Sequence, residues 1–423
     1  MLQIQTASNP ACALAWLASL MCTCGITFGQ AGSPMMPVPE GAPLGTIRRT
    51  LVDKKRPEVV TDAPGDHRRL VVQLFYPMDP RVPAAKLKAT KRYEVAPYLA
   101  DFDALKPALG PMYRDHADAL TALHIPALED APVRTGKRIP IVIFSPGLGT
   151  SRLFYTSQIL AIASRGFVVA AIDHTYDVDG VVCDGGELVR RHDPEASEVE
   201  GRVQPGEGLH AGPRLKVWAE DVRFVLDSVL ALDKKDKLFR GRLDTKRIGY
   251  VGHCFGARAV VLAAATDPRV SAVIAENPWP LALESKAKTL RAKLLFAQGA
   301  RTSDVVWLES QGAAAKDIAK LTKQRFAEQK RFLETLGVPV LHVEFDAQEH
   351  MDFTDLPMLG AWIATRTGDA KVPEGSPQRT PRRDLVDGFF VEFLAHTLLD
   401  SESKQLQLEA GEHEGFRLER FGF

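Results

Sequence analysis

Arg247-Ile-Gly-Tyr-Val-Gly-His-Cys-Phe-Gly-Ala-Arg-Ala-Val-Val-Leu-Ala-Ala-Ala265 decides the fold. Residues 248–251 read as a short apolar strand, Gly252-His253-Cys254-Phe255-Gly256 as a sharp turn, and residues 257–265 as a small-residue helix. This strand–turn–helix is a nucleophile elbow of the pattern G-x-S-x-G, with cysteine where serine is usual. The central residue of such a turn is strained, and the flanking glycines let strand and helix approach closely. A side chain placed there meets free N–H groups and the positive end of the helix dipole, which stabilise a thiolate or a developing oxyanion. Taken alone, the stretch also fits a buried cysteine in a Gly-rich turn, so the rest of the chain must choose.

The 423-residue chain is 45% apolar and 25% charged, with a formal net charge of +0. That composition suits one large globular domain with insertions. It offers no charge excess for a nucleic acid or an anionic membrane surface. Beyond residue 35 no apolar run is long enough to span a bilayer. Residues 11–28 are apolar, small and uncharged, and Gly29-Gln30-Ala31 follows as a small-x-small cleavage pattern. Residues 1–31 therefore read as a signal peptide, which implies a secreted or periplasmic protein. An uncleaved anchor is the alternative. Three of the five cysteines (Cys12, Cys22, Cys24) lie in that segment, which leaves Cys183 and Cys254 and no disulfide framework. An unpaired cysteine in an oxidising compartment calls for a reason, and reactivity is one.

Residues 32–66 form a Pro-bearing lead-in with one strand near 45–53. Residues 70–77 are a strand stopped by proline. Residues 78–137 lack a sheet pattern and carry two weak helical stretches, the mark of an inserted cap. Apolar strands then alternate with helices: strands at 139–144, 167–172, 248–251, 270–275, 294–297 and 339–345, and helices at 151–165, 213–232, 257–265, 303–336 and 383–398. Residues 177–212 read as a surface loop or hairpin, and residues 401–423 as a polar tail. Continuous apolar strands between helices predict a mostly parallel central sheet covered on both faces. Chemistry in such sheets gathers in the loops at the carboxyl ends of the strands.

Three of those loops carry reactive groups. Phe144-Ser-Pro-Gly-Leu-Gly-Thr-Ser151 has an open backbone, and its Leu148 N–H can face the nucleophile. The Phe255 N–H, just after Cys254, supplies the second donor of an oxyanion hole. Glu349-His350-Met-Asp-Phe-Thr-Asp355 follows the last strand, where His350 can serve as general base. The loop Glu276-Asn-Pro-Trp-Pro280 should hold the group that orients His350: Glu276 as an anion or Asn277 as a neutral acceptor, with Asp304 a third candidate. His253 neighbours Cys254 but should point away from the site. His and Cys are scattered without metal-ligand spacing. There is no P-loop and no G-x-G-x-x-G, so no metal, nucleotide or other cofactor is expected.

In this order the motifs resemble those of the platelet-activating factor acetylhydrolase family, plasma and type II enzymes and their bacterial relatives, within the α/β-hydrolases. Residues 144–149 match F-S-H-G-L-G except at Pro146. Residues 166–174 match G-F-x-V-A-A-x-E-H with Asp173 for the glutamate. Residues 252–256 match G-H-S-F-G with Cys254 for the serine, and residues 350–355 match H-x-x-F-x-D. The resemblance covers about residues 71–357. It implies hydrolysis of short or oxidised acyl chains from phospholipids without a cofactor, with Cys254 in the place of the serine and His350 in that of the base. Two departures fall within the triad: Cys254 itself, and Asn277 before Trp279 where an acid is expected, with Glu276 adjacent. The elbow alone also resembles that of dienelactone hydrolases, which use Cys–His–Asp. A thiolate–imidazolium pair would need less help from a buried carboxylate.

The expected architecture is an α/β-hydrolase fold over residues 67–400 with a cap-like insertion at 78–137. The expected function is hydrolysis of a small-molecule ester or phospholipid through an acyl-enzyme on Cys254. A lactone hydrolase and a non-catalytic ligand-binding relative are the two other readings.

Overall fold

A computed structural model describes residues 36–37, 41–61, 63–82, 120, 123–178, 180–191, 213–278, 288–299, 312, 314–364 and 379–422. The strands are β1 (Leu44–Pro57), β2 (His67–Pro77), β3 (Ala127–Glu129), β4 (Ile139–Ser145), β5 (Val168–His174), β6 (Gly180–Val182), β7 (Leu188–Arg190), β8 (Leu243–His253), β9 (Val270–Glu276), β10 (Lys293–Gly299), β11 (Val340–Phe345), β12 (Gly411–His413) and β13 (Phe416–Phe421). The helices are α1 (Thr156–Ser164), α2 (Pro213–Lys235), α3 (Phe255–Ala265), α4 (Ala315–Glu334), α5 (Leu356–Ala364) and α6 (Pro381–Leu399).

All strands except the β6–β7 hairpin join one sheet in the order β12-β13-β11-β10-β9-β8-β4-β5-β2-β1-β3. From β5 through β11 the pairings are parallel. On one flank β2 and β1 run antiparallel, and on the other so does β13. The apolar runs explain this. Every residue of β4 is buried, which requires a covering layer on each face. Alternate side chains separate the two layers. Val142 and Phe144 meet α1, α5 and α6 on one face, while Ile141 and Ile143 meet α2, α3 and the end of α4 on the other. This is the mostly parallel α/β-hydrolase architecture expected from the sequence.

Three expectations need correction. The strand expected in the lead-in extends over Leu44–Pro57 and pairs with β2 along its length, so the lead-in belongs to the sheet. The segment 78–137 was expected to lack sheet, yet Ala127–Glu129 adds an edge strand beside β1. Three residues are too short for a period-two pattern to show. Residues 401–423 are not a free tail, because Phe416 and Leu418 alternate inward on β13 and bury against α6 and β11. The segment expected to be a signal peptide, the helical stretches of the cap apart from Leu120 and Leu123, Trp279 and Asp304 lie outside the described residues.

The winding of the sheet locates the site. β4 lies between β5 and β8, so the chain turns one way toward β2 and the other way toward β11. The crevice at such a reversal is where ligands bind. Ser145 pairs with Gly252, which sets the loop after β4 directly beside the elbow after β8. Only glycine permits that approach: a Cβ on Gly256 would lie 2.2 Å from the Pro146 carbonyl oxygen and 2.4 Å from that of Ser145. Both obstacles are backbone and neither can swing aside. Gly256→Ala is therefore expected to destabilise the fold by more than about 2 kcal/mol, read from urea unfolding at constant m. A midpoint equal to wild type would contradict this close packing.

Candidate active site

Cys254 closes the elbow at φ 54°, ψ −118°, a conformation that side chains rarely adopt. Its N–H donates to the Glu276 carbonyl at 2.9 Å, which fixes the turn to β9. The residue is partly exposed, the only described cysteine that is, since Cys183 is buried in the β6–β7 hairpin. The backbone N–H groups of Phe255 and Leu148, the two expected oxyanion donors, both favour the charged form of the Cys254 thiol, and Leu148 packs with Cys254 against one apolar cluster.

His350 begins a one-turn 3-10 helix, His350–Phe353, after β11. The turn is closed by a capping box between Glu349 and Asp352. Asp355, in the same loop, accepts from the Ser157 N–H at 2.9 Å and from the Ser157 hydroxyl, which ties the base loop to the start of α1. Arg383 of α6 donates to the carbonyls of Asp352 and Thr354. Asn277 leaves β9 at φ 40°. Its Nδ2 stands 2.9 Å from His350 Nδ1, and its Oδ1 accepts from the Gly299 N–H at 3.5 Å.

Of the candidates for orienting His350, the structure thus brings Asn277 to the imidazole and not Glu276. Glu276 is fully buried with its side chain turned toward Gln158, 3.4 Å away, and toward the Arg383–Asp387 pair. Adjacent residues at a strand end point to opposite sides, and a sequence cannot reveal which of the two faces the histidine. Burial raises the Glu276 carboxyl well above its ordinary range, against the opposing pull of Arg383.

The electrostatics also depart from the expected ion pair. Burial pushes the Cys254 thiol up to about 11, against the opposing pull of the Phe255 N–H, Arg258 and the Leu148 N–H. Burial likewise lowers His350 to about 4. Both groups are neutral at pH 7. A carboxylate beside His350 would favour the imidazolium, but the amide of Asn277 carries no charge to do so. The tautomer depends on that amide as well. With Nδ2 toward His350 the ring keeps its proton on Nε2. With Oδ1 toward it, Nδ1 carries the proton and Nε2 is free to act as a base.

Sequence reasoning missed two residues and one buried relay. Tyr155 and His253 are hydrogen-bonded to each other at 2.8 Å beneath the site. Ser145, His174 and Asp221 line up at 3.0 and 2.8 Å. That relay has the residue types of a serine triad, but all three are fully buried and the His174 ring is stacked 3.7 Å from Trp218. It supports the loop after β4 and has no access to a substrate. The Trp218 ring meets Phe255 edge-on at 5.1 Å. Together with Leu215 and Ala259 they form an apolar cluster against which Leu148 and Cys254 pack. The period-3.6 pattern of α2 marks Leu215 and Trp218 as core without showing that this core lies beside the nucleophile.

Comparison with known proteins finds esterase relatives. A family model described as platelet-activating factor acetylhydrolase, isoform II, matches residues 61–181, and one for the dienelactone hydrolase family matches residues 215–324. The chain is 30% identical over 182 residues to a platelet-activating factor acetylhydrolase of Canis lupus familiaris, covering 38% of this chain and 39% of that one. It is 29% identical over 247 residues to a probable 1-alkyl-2-acetylglycerophosphocholine esterase of Arthroderma benhamiae, covering 57% and 58%. The matches thus span from about two-fifths to three-fifths of the length of these relatives. Among solved structures, a ferulic acid esterase from Streptomyces cinnamoneus superposes with a TM-score of 0.63 at 25% identity, over 92% of this chain and 99% of that one.

The neutral thiol has a direct readout. Iodoacetamide labelling of Cys254, followed by peptide mapping, is expected to keep accelerating with pH toward about 11. A rate that levels off below roughly pH 8 would mean an activated thiolate instead.

Proposed function

The chain is an α/β-hydrolase related to the platelet-activating factor acetylhydrolases, and from that premise we propose that it hydrolyses carboxylic esters through a covalent intermediate on Cys254. One observation carries the proposal: Leu148, from the loop after β4, lies beside Cys254, and its N–H together with that of Phe255 favours the charged form of the thiol. A carbonyl carbon attacked there would leave its oxygen beside both donors, where the developing charge needs them. His350, neutral and with Nε2 unprotonated, takes the thiol proton during attack and returns it to the leaving alkoxide. The product is an alcohol and an acyl thioester. Water, deprotonated by His350, then attacks the thioester; the carboxylic acid leaves and the thiol is restored.

This scheme requires the Asn277 amide to turn, so that Oδ1 in place of Nδ2 faces His350 Nδ1 and gives up the 3.5 Å contact with the Gly299 N–H; Oδ1 then holds the Nδ1–H tautomer without the charge a carboxylate would supply. A thiol gives up its proton more readily than a serine hydroxyl, so the weaker base suits the changed nucleophile. The apolar cluster of Leu215, Trp218 and Phe255 beside Cys254 favours a short or flat acyl group, with a phospholipid acetyl ester as the preferred class. Action on a phospholipid outside the cell would follow from export of the chain. The match to the dienelactone hydrolase family over residues 215–324 includes the elbow and Asn277, which makes lactones the comparison substrates.

A second reading, a ligand-binding relative without turnover, is favoured by the neutral thiol and by an amide, not a carboxylate, beside His350 among the described residues. p-Nitrophenyl acetate separates the two. Wild type is expected to turn it over, and Cys254→Ala to lose at least about a hundredfold in kcat. Equal activity in the two proteins would exclude Cys254 as nucleophile. No turnover in either would support binding alone.

The pH profile tests His350. Protonation disables the base, and burial places that event near 4, so kcat/KM should hold from neutral pH down to about 4 before it falls. Asn277→Asp adds an anion that favours the imidazolium, and the acid limb should move up toward the ordinary histidine value of about 6.5. Glu276→Gln should leave the limb where it is. A limb shifted by Glu276→Gln and not by Asn277→Asp would reverse the assignment.

A further inference from the structure

The Tyr155–His253 pair lies between the loop after β4, the elbow and the base loop. Tyr155 is fully buried, and its hydroxyl oxygen accepts from the Gly147 N–H at 3.0 Å. Gly147 immediately precedes Leu148, whose N–H serves the oxyanion. On the far side, His253 Nε2 stands 3.1 Å from the main-chain carbonyl oxygen of His350. The His253 ring packs against that of His350 at 4.5 Å and is stacked on Phe353 at 5.9 Å.

The polarity of this chain follows from proton counting. A carbonyl only accepts, so His253 Nε2 carries the hydrogen. Burial, and His350 next to it, hold the ring far below the ordinary histidine range, so it is neutral and its Nδ1 must accept. Tyr155 is then the donor to Nδ1 at 2.8 Å. The Thr150 hydroxyl, 3.0 Å from the Tyr155 oxygen, gives its own hydrogen to the Gly147 carbonyl at 2.8 Å and leaves the tyrosine proton for His253. The sequence Gly147 N–H to Tyr155 O–H to His253 to the His350 carbonyl is therefore a directed relay. It has little slack: a Cβ on Gly147 would come within 3.1 Å of the Tyr155 oxygen and 3.3 Å of His253 Nδ1.

We infer that Tyr155 and His253 are positioning residues, a hydrogen-bonded bridge that sets the oxyanion loop and the base loop at a fixed distance on either side of Cys254. Neither touches a reacting atom. His253 sits on the elbow itself, so one residue aligns both catalytic partners to the turn that carries the nucleophile. The inference rests on the ester-hydrolase reading for its kinetic consequence but not for the bridge itself.

Two arms keep these apart. In the first, long-range 1H–15N spectra of the histidine rings, with His253 assigned by its loss in His253→Gln, should show a neutral Nε2–H tautomer from pH 6 to pH 8. An Nδ1–H tautomer or an imidazolium would overturn the bridge, whether or not the protein is an enzyme. In the second, Tyr155→Phe removes the acceptor for Gly147 and the donor for His253. It should lower kcat on p-nitrophenyl acetate about tenfold or more while KM stays within about threefold, because misplaced donors are felt in the transition state. A kcat within twofold of wild type, or a loss carried by KM alone, overturns the positioning role. If Tyr155→Phe does not melt cooperatively, His253→Gln must show the same split. A wild type without ester turnover defeats the hydrolase reading and leaves the spectra to decide the bridge.

Discussion

The approach of the elbow to the loop after β4 is the contact on which the site depends. Gly256 lies so near the carbonyls of Ser145 and Pro146 that no side chain fits between them. That proximity brings Leu148, from one loop, and Phe255, from the other, to the same thiol, whose charged form both N–H groups favour. The sheet makes it possible, because β4 and β8 are neighbours in register from Ile141 to Ser145. The strained backbone of Cys254 is held by the layers on either side, and its geometry follows from the packing beneath it.

A buried site that gathers donors around an uncharged nucleophile differs from one that stores an ion pair. Desolvation acts in opposite directions on an acid and a base, raising Cys254 and lowering His350, and both effects favour the neutral pair. In the proposed reaction, charge then appears only as attack proceeds, where the Leu148 and Phe255 N–H groups would stabilise it selectively. Among the described residues, no carboxylate is hydrogen-bonded to the His350 ring to shift this balance. Glu276 is one residue away along the chain but faces Gln158 and the buried cluster around Arg383.

Much of this was legible in the sequence. Gly252-His-Cys-Phe-Gly256 fixed the turn because glycine is the residue for close backbone approach, and continuous apolar runs fixed the parallel sheet. The positions of Leu148, Phe255 and His350 in turns after strands were readable too. What escaped were contacts set by side-chain direction and distant pairing. Which of Glu276 and Asn277 faces His350 depends on the exact end of β9. The protonation states depend on burial, which depends on helices from elsewhere in the chain. His253 was expected to point away from the nucleophile; it does point beneath it, into a hydrogen-bonded position between Tyr155 and His350 that no local pattern announces. The terminal hairpin was missed because Phe416 and Leu418 are two apolar residues in a charged stretch.

The account stands on Cys254 as the atom that takes the acyl group. Rapid acid quench during turnover of p-nitrophenyl acetate, followed by peptide mass mapping, reads this directly. The account gives an acetyl adduct on the peptide that contains Cys254, labile to hydroxylamine as a thioester is. Steady turnover with that peptide unmodified, or an adduct on another residue, would contradict it.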